Sequence, residues 1–240
     1  MRLDLRAAEP TSTRTVDRAL ALLSVVGEHG PVSLTEAARR SGLPASTALR
    51  HLRTLEAAGF VVRADAGRFS AGPRLLQLGA TALGRSTLVR LAEPALERIV
   101  AATGESAYLV VRGPGGTAVY IAMVEGTRSI RHTSWVGRSV PLEGLAVGLA
   151  LAGDVGPAGY AAQRDRFEPD LTAIAAPVRR PGGVAAALNV LGPTYRIDGD
   201  AIERFGQILD REARALGAAL GVTPSRRPTA LTPTEEEVSR

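Results

Sequence analysis

The sequence predicts an α+β chain of two domains. A winged helix-turn-helix is expected over residues 13–76, a linker helix over 77–87, and an α/β domain with an antiparallel sheet over 88–221. Three observations carry this. Helical periodicity and one short hairpin crowd into the first third of the chain, β-rich runs joined by Gly-rich turns take over after Gly104, and the net charge divides at about the same place. All 29 basic side chains are Arg, against 24 acids. Residues 1–86 hold 12 Arg and 7 acids, whereas 87–240 hold 17 of each, so the whole +5 belongs to the first third. The absence of Lys fits codon bias in a GC-rich genome. The placement of the charge is independent of that bias, and the guanidinium is a permanently ionised, planar five-donor group.

Composition excludes several classes. With no Cys, disulfide frameworks, thiol nucleophiles and Cys-ligated metals are out. His29, His51 and His132 lie too far apart in sequence to suggest a His-rich metal site. The segment at the N-terminus has no apolar core for secretion, and no apolar run approaches the roughly 18 residues of a membrane span. The expectation is a cytoplasmic protein without metal, cofactor or membrane contact.

Residues 1–12 read as a flexible lead-in. Thr15 reads as the N-cap of a first helix, with Val16, Ala19, Leu20, Leu23 and Val26 at helical spacing up to Gly27–Gly30. Ser33-Leu34-Thr35-Glu36 matches a capping box, opening a second helix over Leu34–Ser41. Gly42-Leu43-Pro44 breaks the chain, and a third helix runs from Ala45 to Ala58, stopped by Gly59. A strand over Phe60–Arg63, a turn at Asp65-Ala66-Gly67 and a return strand over Arg68–Ser70 complete the unit.

Gly72-Pro73 starts a helix that bends near Gly84 and Ser86 and continues over Leu88–Thr103. Ala107–Arg112 and Thr117–Val124 form a hairpin around Gly113-Pro114-Gly115-Gly116. A strand over Ser129–Val136, a small helix over Leu142–Leu151 and a hairpin of Leu171–Val178 with Val184–Leu191 follow. Asp200 reads as the cap of a last helix, Ala201–Leu220, and residues 222–240 read as a disordered tail.

On the third helix, Leu49, Leu52 and Leu55 share one face, and Ser46, Thr47, Arg50 and Thr54 fall opposite, with Arg53 on the flank. Short hydroxyl side chains and the free amides of the first turn suit phosphate contact, and Arg50 and Arg53 can reach a guanine edge or the backbone. A capped helix, a tight turn, this helix and a hairpin in order match a winged helix-turn-helix, with Arg68, and Arg63 beside it, on the wing. Thr35 at the start of the second helix and Arg14 and Arg18 at the start of the first are further phosphate candidates, the two arginines competing with ion pairing to Asp17 and Glu28. His51, beside the leucine face, reads as packing rather than base contact.

At this point the sequence resembles a family. The run from Thr15 to Gly79, with its Leu-Pro-x-Ser-Thr start to the third helix and its Gly-Pro-Arg-Leu-Leu start to the linker, is similar to the DNA-binding domain of the IclR family of bacterial transcription regulators. The likeness continues through Ala95–Val111, Val136–Leu142 and Ile174–Arg179, covering about residues 13–221. It implies a GAF-like effector-binding domain, dimers or tetramers, and double-stranded DNA with a palindromic or pseudopalindromic operator. The function implied is a sequence-specific DNA-binding transcription regulator, usually a repressor, modulated by a small organic effector, and not an enzyme.

In the second domain the family's Thr-Ala-x-Gly-Lys-Ala helix reads Leu145-Ala146-Val147-Gly148-Leu149-Ala150, an acidic position becomes Gln163, a Cys/Ser position becomes Ala173, and two serines become Asn189 and Leu191. A few tens of residues are missing around Ala152–Ala158. The effector candidates are Arg131, Leu145, Ala146, Gln163, Leu171, Ala173 and Asn189. A buried carboxylate needs convergent donors, so the loss of polar positions predicts a more apolar ligand or none. The alternative is a second domain that only oligomerises or binds a protein.

Rival readings are weak. His132 and Ser134, with Glu125 and Glu143 nearby in sequence, could share a strand face, yet no strand–nucleophile–helix elbow surrounds Ser134. The Gly113–Gly116 turn lacks the Lys-Ser/Thr of a phosphate loop. Trp135 reads as core or interface rather than a stacking platform, and Glu235–Glu237 as a solubilising end.

Overall fold

A computed structural model describes residues 13–222 and divides the chain into two units. One runs through Arg90 and includes 119–121 and 135–140; the other holds the rest. The readings placed on residues 1–12 and on the tail beyond 222 lie outside the described residues.

The first unit begins with α1 (Arg14–His29). Its N-cap is Thr13, not Thr15, so the helix starts two residues earlier than the Thr15 reading places it, and Thr13 makes no side-chain cap bond. α2 (Leu34–Arg40) is capped as the sequence implies: Ser33 Oγ accepts from the Glu36 amide at 3.1 Å. The Glu36 carboxylate turns to Arg40 at 3.0 Å, an i,i+4 partner. α3 (Ala45–Ala57) follows, then β1 (Val61–Arg63) and β2 (Phe69–Ala71), paired antiparallel around a turn at 65–67. Val32 bridges to Phe69, adding a one-residue third segment to the pair.

The core of this unit is Leu22 and Val26 of α1, Val32, Ala37 and Ala38 of α2, Ala48 and Leu52 of α3, and Val61 and Phe69 of the hairpin. Each Leu- or Phe-sized side chain buried there is worth about 1.5–3 kcal/mol. Three of the nine are alanines, so close backbone approach supplies much of the packing. Gly72 shows how close: a Cβ there would stand 2.2 Å from the Gly59 carbonyl oxygen, so only glycine lets the hairpin return against the end of α3. α4 (Pro73–Arg85) carries Pro at its start. Ser86 (φ −73°, ψ 109°) breaks it from α5 (Thr87–Thr103), where the sequence anticipates a bend.

The second unit contains β3 (Ser106–Arg112), β4 (Thr117–Val124), β5 (Ser139–Pro141), α6 (Ala146–Ala152), β6 (Ala161–Arg164), β7 (Leu171–Arg180), β8 (Gly183–Pro193) and α7 (Gly199–Val222), apart from the short stretches assigned to the first. The sheet order is β5-β4-β3-β8-β7-β6, with the pairs β3–β8, β8–β7 and β7–β6 antiparallel. α7 lies along β7, and α6 packs on β7, β8 and β6.

Two expectations fail here, and one strand was not anticipated. Ser129–Val136 is not a strand: its polar backbone is engaged by side chains, with Tyr108 reaching the Thr133 carbonyl and Arg196 the Ile130 carbonyl, and the strand forms later, at 139–141. β6 is absent from the sequence reading because Ala-Ala-Gln-Arg has neither β-branched nor aromatic residues, and its pairing with β7 decides its state. α7 is capped by Asp198, whose Oδ1 accepts from the Ala201 amide at 2.9 Å, and not by Asp200, which lies inside the first turn.

Candidate nucleic-acid interface

α3 presents two chemically distinct faces. Ala48 and Leu52 are fully buried, and Leu49 and Leu55 pack against the same core. Ser46, Arg50, Arg53 and Thr54 are exposed and Thr47 half-exposed, as the helical wheel requires. Thr54 Oγ1 donates to the Arg50 carbonyl at 3.2 Å, which keeps its hydroxyl close to the helix axis. Pro44 occupies the N-cap position and offers no side-chain cap, and the first turn carries no acid. The first intrahelical bond is from Ala48 N–H to the Pro44 carbonyl at 2.9 Å, leaving the amides of Ala45, Ser46 and Thr47 without intrahelical acceptors. An uncapped, acid-free N-terminus holds partial positive charge and outward N–H groups, and matches an anion such as a DNA phosphate.

The wing separates its two arginines. Arg63 lies 5.3 Å over the Phe69 ring and 3.9 Å from Glu56, so part of its charge is engaged within the unit. Arg68 is exposed next to the turn, where Ala66 (φ 58°) and Gly67 (φ 70°) both adopt left-handed backbone. Arg14, Arg18 and Thr35 are exposed near the starts of α1 and α2. His51 is buried at 6 % exposure, and its Nε2 has no hydrogen-bond partner, in keeping with packing rather than base contact.

The effector candidates of the second unit fall mainly on the sheet. Register aligns Gln163 with Ala173 and Ala173 with Leu191; two residues along, Ala175 aligns with Asn189 and Asn189 with Tyr108, so these positions share one face. Leu171 begins β7, and Leu145 and Ala146 start α6. Asn189 is buried and its amide donates to the Ile174 carbonyl at 2.9 Å. Arg131 is exposed in a loop, with Nη2 3.4 Å from Glu125, away from the sheet positions in sequence and pairing.

Sequence reasoning missed the groups that tie that loop down. The Tyr108 hydroxyl donates to the Thr133 carbonyl at 2.9 Å, so its 2.7 Å contact with His132 is satisfied with the imidazole proton on Nδ1. Burial pushes the Tyr108 phenol above its usual range, Glu125 adds to the rise, and a hydrogen bond with Ser106 opposes it. Glu105, 2 % exposed, receives Arg196 at 2.6 and 2.8 Å, and Arg196 also holds the Ile130 carbonyl at 2.8 Å. Glu105 and Arg196 stand 91 positions apart, and no local pattern joins them. His132 faces Tyr108 and stands outside any strand, so the strand face proposed for a His132–Ser134 pair does not form.

A capped helix, a tight turn, a helix with an arginine- and hydroxyl-bearing outer face and an antiparallel wing together define a DNA-binding protein of the winged helix-turn-helix class. The IclR helix-turn-helix domain model matches residues 15–65, and the model of the bacterial transcriptional regulator IclR C-terminal domain matches 80–153 and 154–218. The chain belongs to the IclR family of transcriptional regulators. It is 29% identical to the HTH-type transcriptional regulator BhcR of Paracoccus denitrificans (strain Pd 1222), over 92% of each chain, and 25% identical to the transcriptional repressor IclR of Escherichia coli (strain K12), over 87% of this chain and 90% of that one. The crystal structure of an IclR transcriptional regulator from Alicyclobacillus acidocaldarius aligns with a TM-score of 0.76 at 27% identity, over 88% of this chain and all of the other. Among the described residues no helix is long and apolar enough to cross a membrane.

Proposed function

We propose that this regulator is a repressor that binds a pseudopalindromic operator as a dimer or a pair of dimers, α3 of each copy entering a major groove. The observation that carries the reading is the outer face of α3: Ser46, Thr47, Arg50, Arg53 and Thr54 around an uncapped, acid-free N-terminus. Two-fold symmetry places the half-sites about 34 Å apart. Arg50 reads a base edge, Arg68 follows a neighbouring groove, and Arg14, Arg18 and Thr35 add phosphate contacts. In domain terms, residues 13–76 read DNA, 77–87 serve as linker, and 88–221 carry the effector site and oligomer contacts in the cytoplasm. α4 supports a second copy as partner, since it buries none of its residues and leaves Leu76, Leu78 and Leu83 exposed.

The effector site consists of Leu145, Ala146, Gln163, Leu171, Ala173 and Asn189, with Arg131, in a loop away from the sheet positions, as a further candidate. Its chemistry favours an uncharged, largely apolar molecule: Asn189 already spends its amide on the backbone, and Arg131 meets Glu125. The same two observations support the second reading, in which the domain only oligomerises or docks a protein. A ligand-dependent shift in operator affinity separates them, and Trp135, buried edge-on to Tyr120 at 5.3 Å, supplies a fluorescence signal for ligand titration. The test of the DNA reading is substitution. Arg50→Ala should cost about 1–3 kcal/mol of operator affinity and relax preference at one base pair. Arg68→Ala should weaken all sequences alike and lower the salt slope by about 1. If both variants bind like the parent, the assigned face is wrong.

A further inference from the structure

A recess lined by charged side chains lies outside the effector set and shares no residue with it. It measures about 130 Å³ and is walled by the loop 155–159, by Pro177 and Arg179 of β7, and by Asp210 and Arg214 of α7. Close backbone approach builds it. A Cβ at Gly217 would stand 2.1 Å from the Arg179 carbonyl oxygen, so glycine alone lets α7 settle on β7 at this point. Arg214, three residues earlier on the same helix face, thereby lines the same recess as Arg179.

Each charged group in the recess is held in place. The Arg179 guanidinium lies against Gly153, the left-handed residue that ends α6, and Nη2 donates to the Gly153 carbonyl at 2.7 Å. Asp210 presses on Gly159 (φ 81°), where a Cβ would stand 2.2 Å from its Oδ1, and its Oδ2 accepts from Arg214 Nε at 2.8 Å. Each guanidinium has five N–H donors, and these contacts use one on Arg179 and one on Arg214. The lining thus holds two cations and one carboxylate, with proline, valine and glycine for the remainder and no second acid to balance the charge.

We propose that this recess binds a small oxyanion, a carboxylate or phosphate group held between Arg179 and Arg214, as a ligand site separate from the effector face. Binding would join α7 to the loop after α6 and so stiffen the second unit. A free phosphate and a small organic acid share this chemistry, and the two arms of the test distinguish them.

The full-length protein is titrated calorimetrically with inorganic phosphate and, separately, with succinate, at ionic strength held constant by chloride, with thermal unfolding followed in parallel. Saturable binding of one anion with a rise in Tm is expected, and the anion that binds more tightly identifies the source. Arg214→Gln, an exposed position tolerant of substitution, should weaken binding at least tenfold, and Arg179→Gln likewise. Arg50→Ala should leave it unchanged, which separates this site from the DNA-binding face. Binding by neither anion above the chloride background, or binding that survives Arg214→Gln, overturns the proposal.

Discussion

Replacing Pro44 by Asp should push fold stability and DNA affinity in opposite directions. Pro44 is the N-cap of α3, at φ −57° and ψ 141°, a conformation that Asp adopts readily. An Asp side chain there can accept from the amide of Ser46 or Thr47, which have no intrahelical acceptor. A cap of this kind is worth about 0.5–2 kcal/mol, and a negative charge at a helix N-terminus about 0.3–1 kcal/mol more. Against this, losing proline restores conformational entropy to the unfolded chain, at about 0.4–1 kcal/mol. The balance is a gain near 1 kcal/mol, or about 4–8 °C in Tm for a unit of this size.

On DNA the same carboxylate occupies the amides that would meet a phosphate and adds charge repulsion. The loss of one charge-assisted hydrogen bond, about 1.5–3 kcal/mol, lowers affinity roughly 10- to 150-fold, and the salt slope falls by about 1. Fluorescence anisotropy on a selected operator fragment across about 50–200 mM salt, alongside urea unfolding, reads both effects. A stabilised variant with unchanged affinity and slope would refute the placement of the α3 N-terminus at a phosphate. Because the fold is expected to gain stability, an affinity loss cannot be blamed on unfolding.

Arg196→Ala should destabilise the second unit by about 3–5 kcal/mol, since it leaves the buried Glu105 carboxylate unpaired. Denaturant unfolding of that variant and of Arg196→Met with Glu105→Gln checks this, the pair being expected to recover most of the loss. His51→Leu should raise the stability of the first unit by about 1 kcal/mol by removing an unsatisfied buried nitrogen. Equal or lower stability in thermal unfolding would show that the ring makes a compensating interaction.

Local signals made the DNA-binding unit legible. Ser33 and Glu36 sit three apart, Gly59 ends a helix, and Leu52 and Arg50 fall on opposite faces by the 3.6-residue period, all within one short stretch. The cap readings at Thr15 and Asp200 each missed by two residues because several capping-competent side chains adjoin each start; at α7 the chain's path presents Asp198 for the bond, and at α1 Thr13 takes the cap position without one. The second unit was less legible. Ser129–Val136 carries β-forming residues but becomes a loop, because Tyr108 and Arg196 take its carbonyls, while β6 has no strand signal and exists through β7.

The helix-turn-helix and its wing rest on neighbours within a turn or a hairpin, so they could be read from the residues in order, as could the placement of the charge and the family resemblance. The pairing of Glu105 with Arg196, the tie between Tyr108 and His132, and the placing of Arg179 and Arg214 on one recess arise only in the folded chain. Those contacts join groups far apart along the chain, and they exist because sheet register and close backbone approach at glycine bring the groups together.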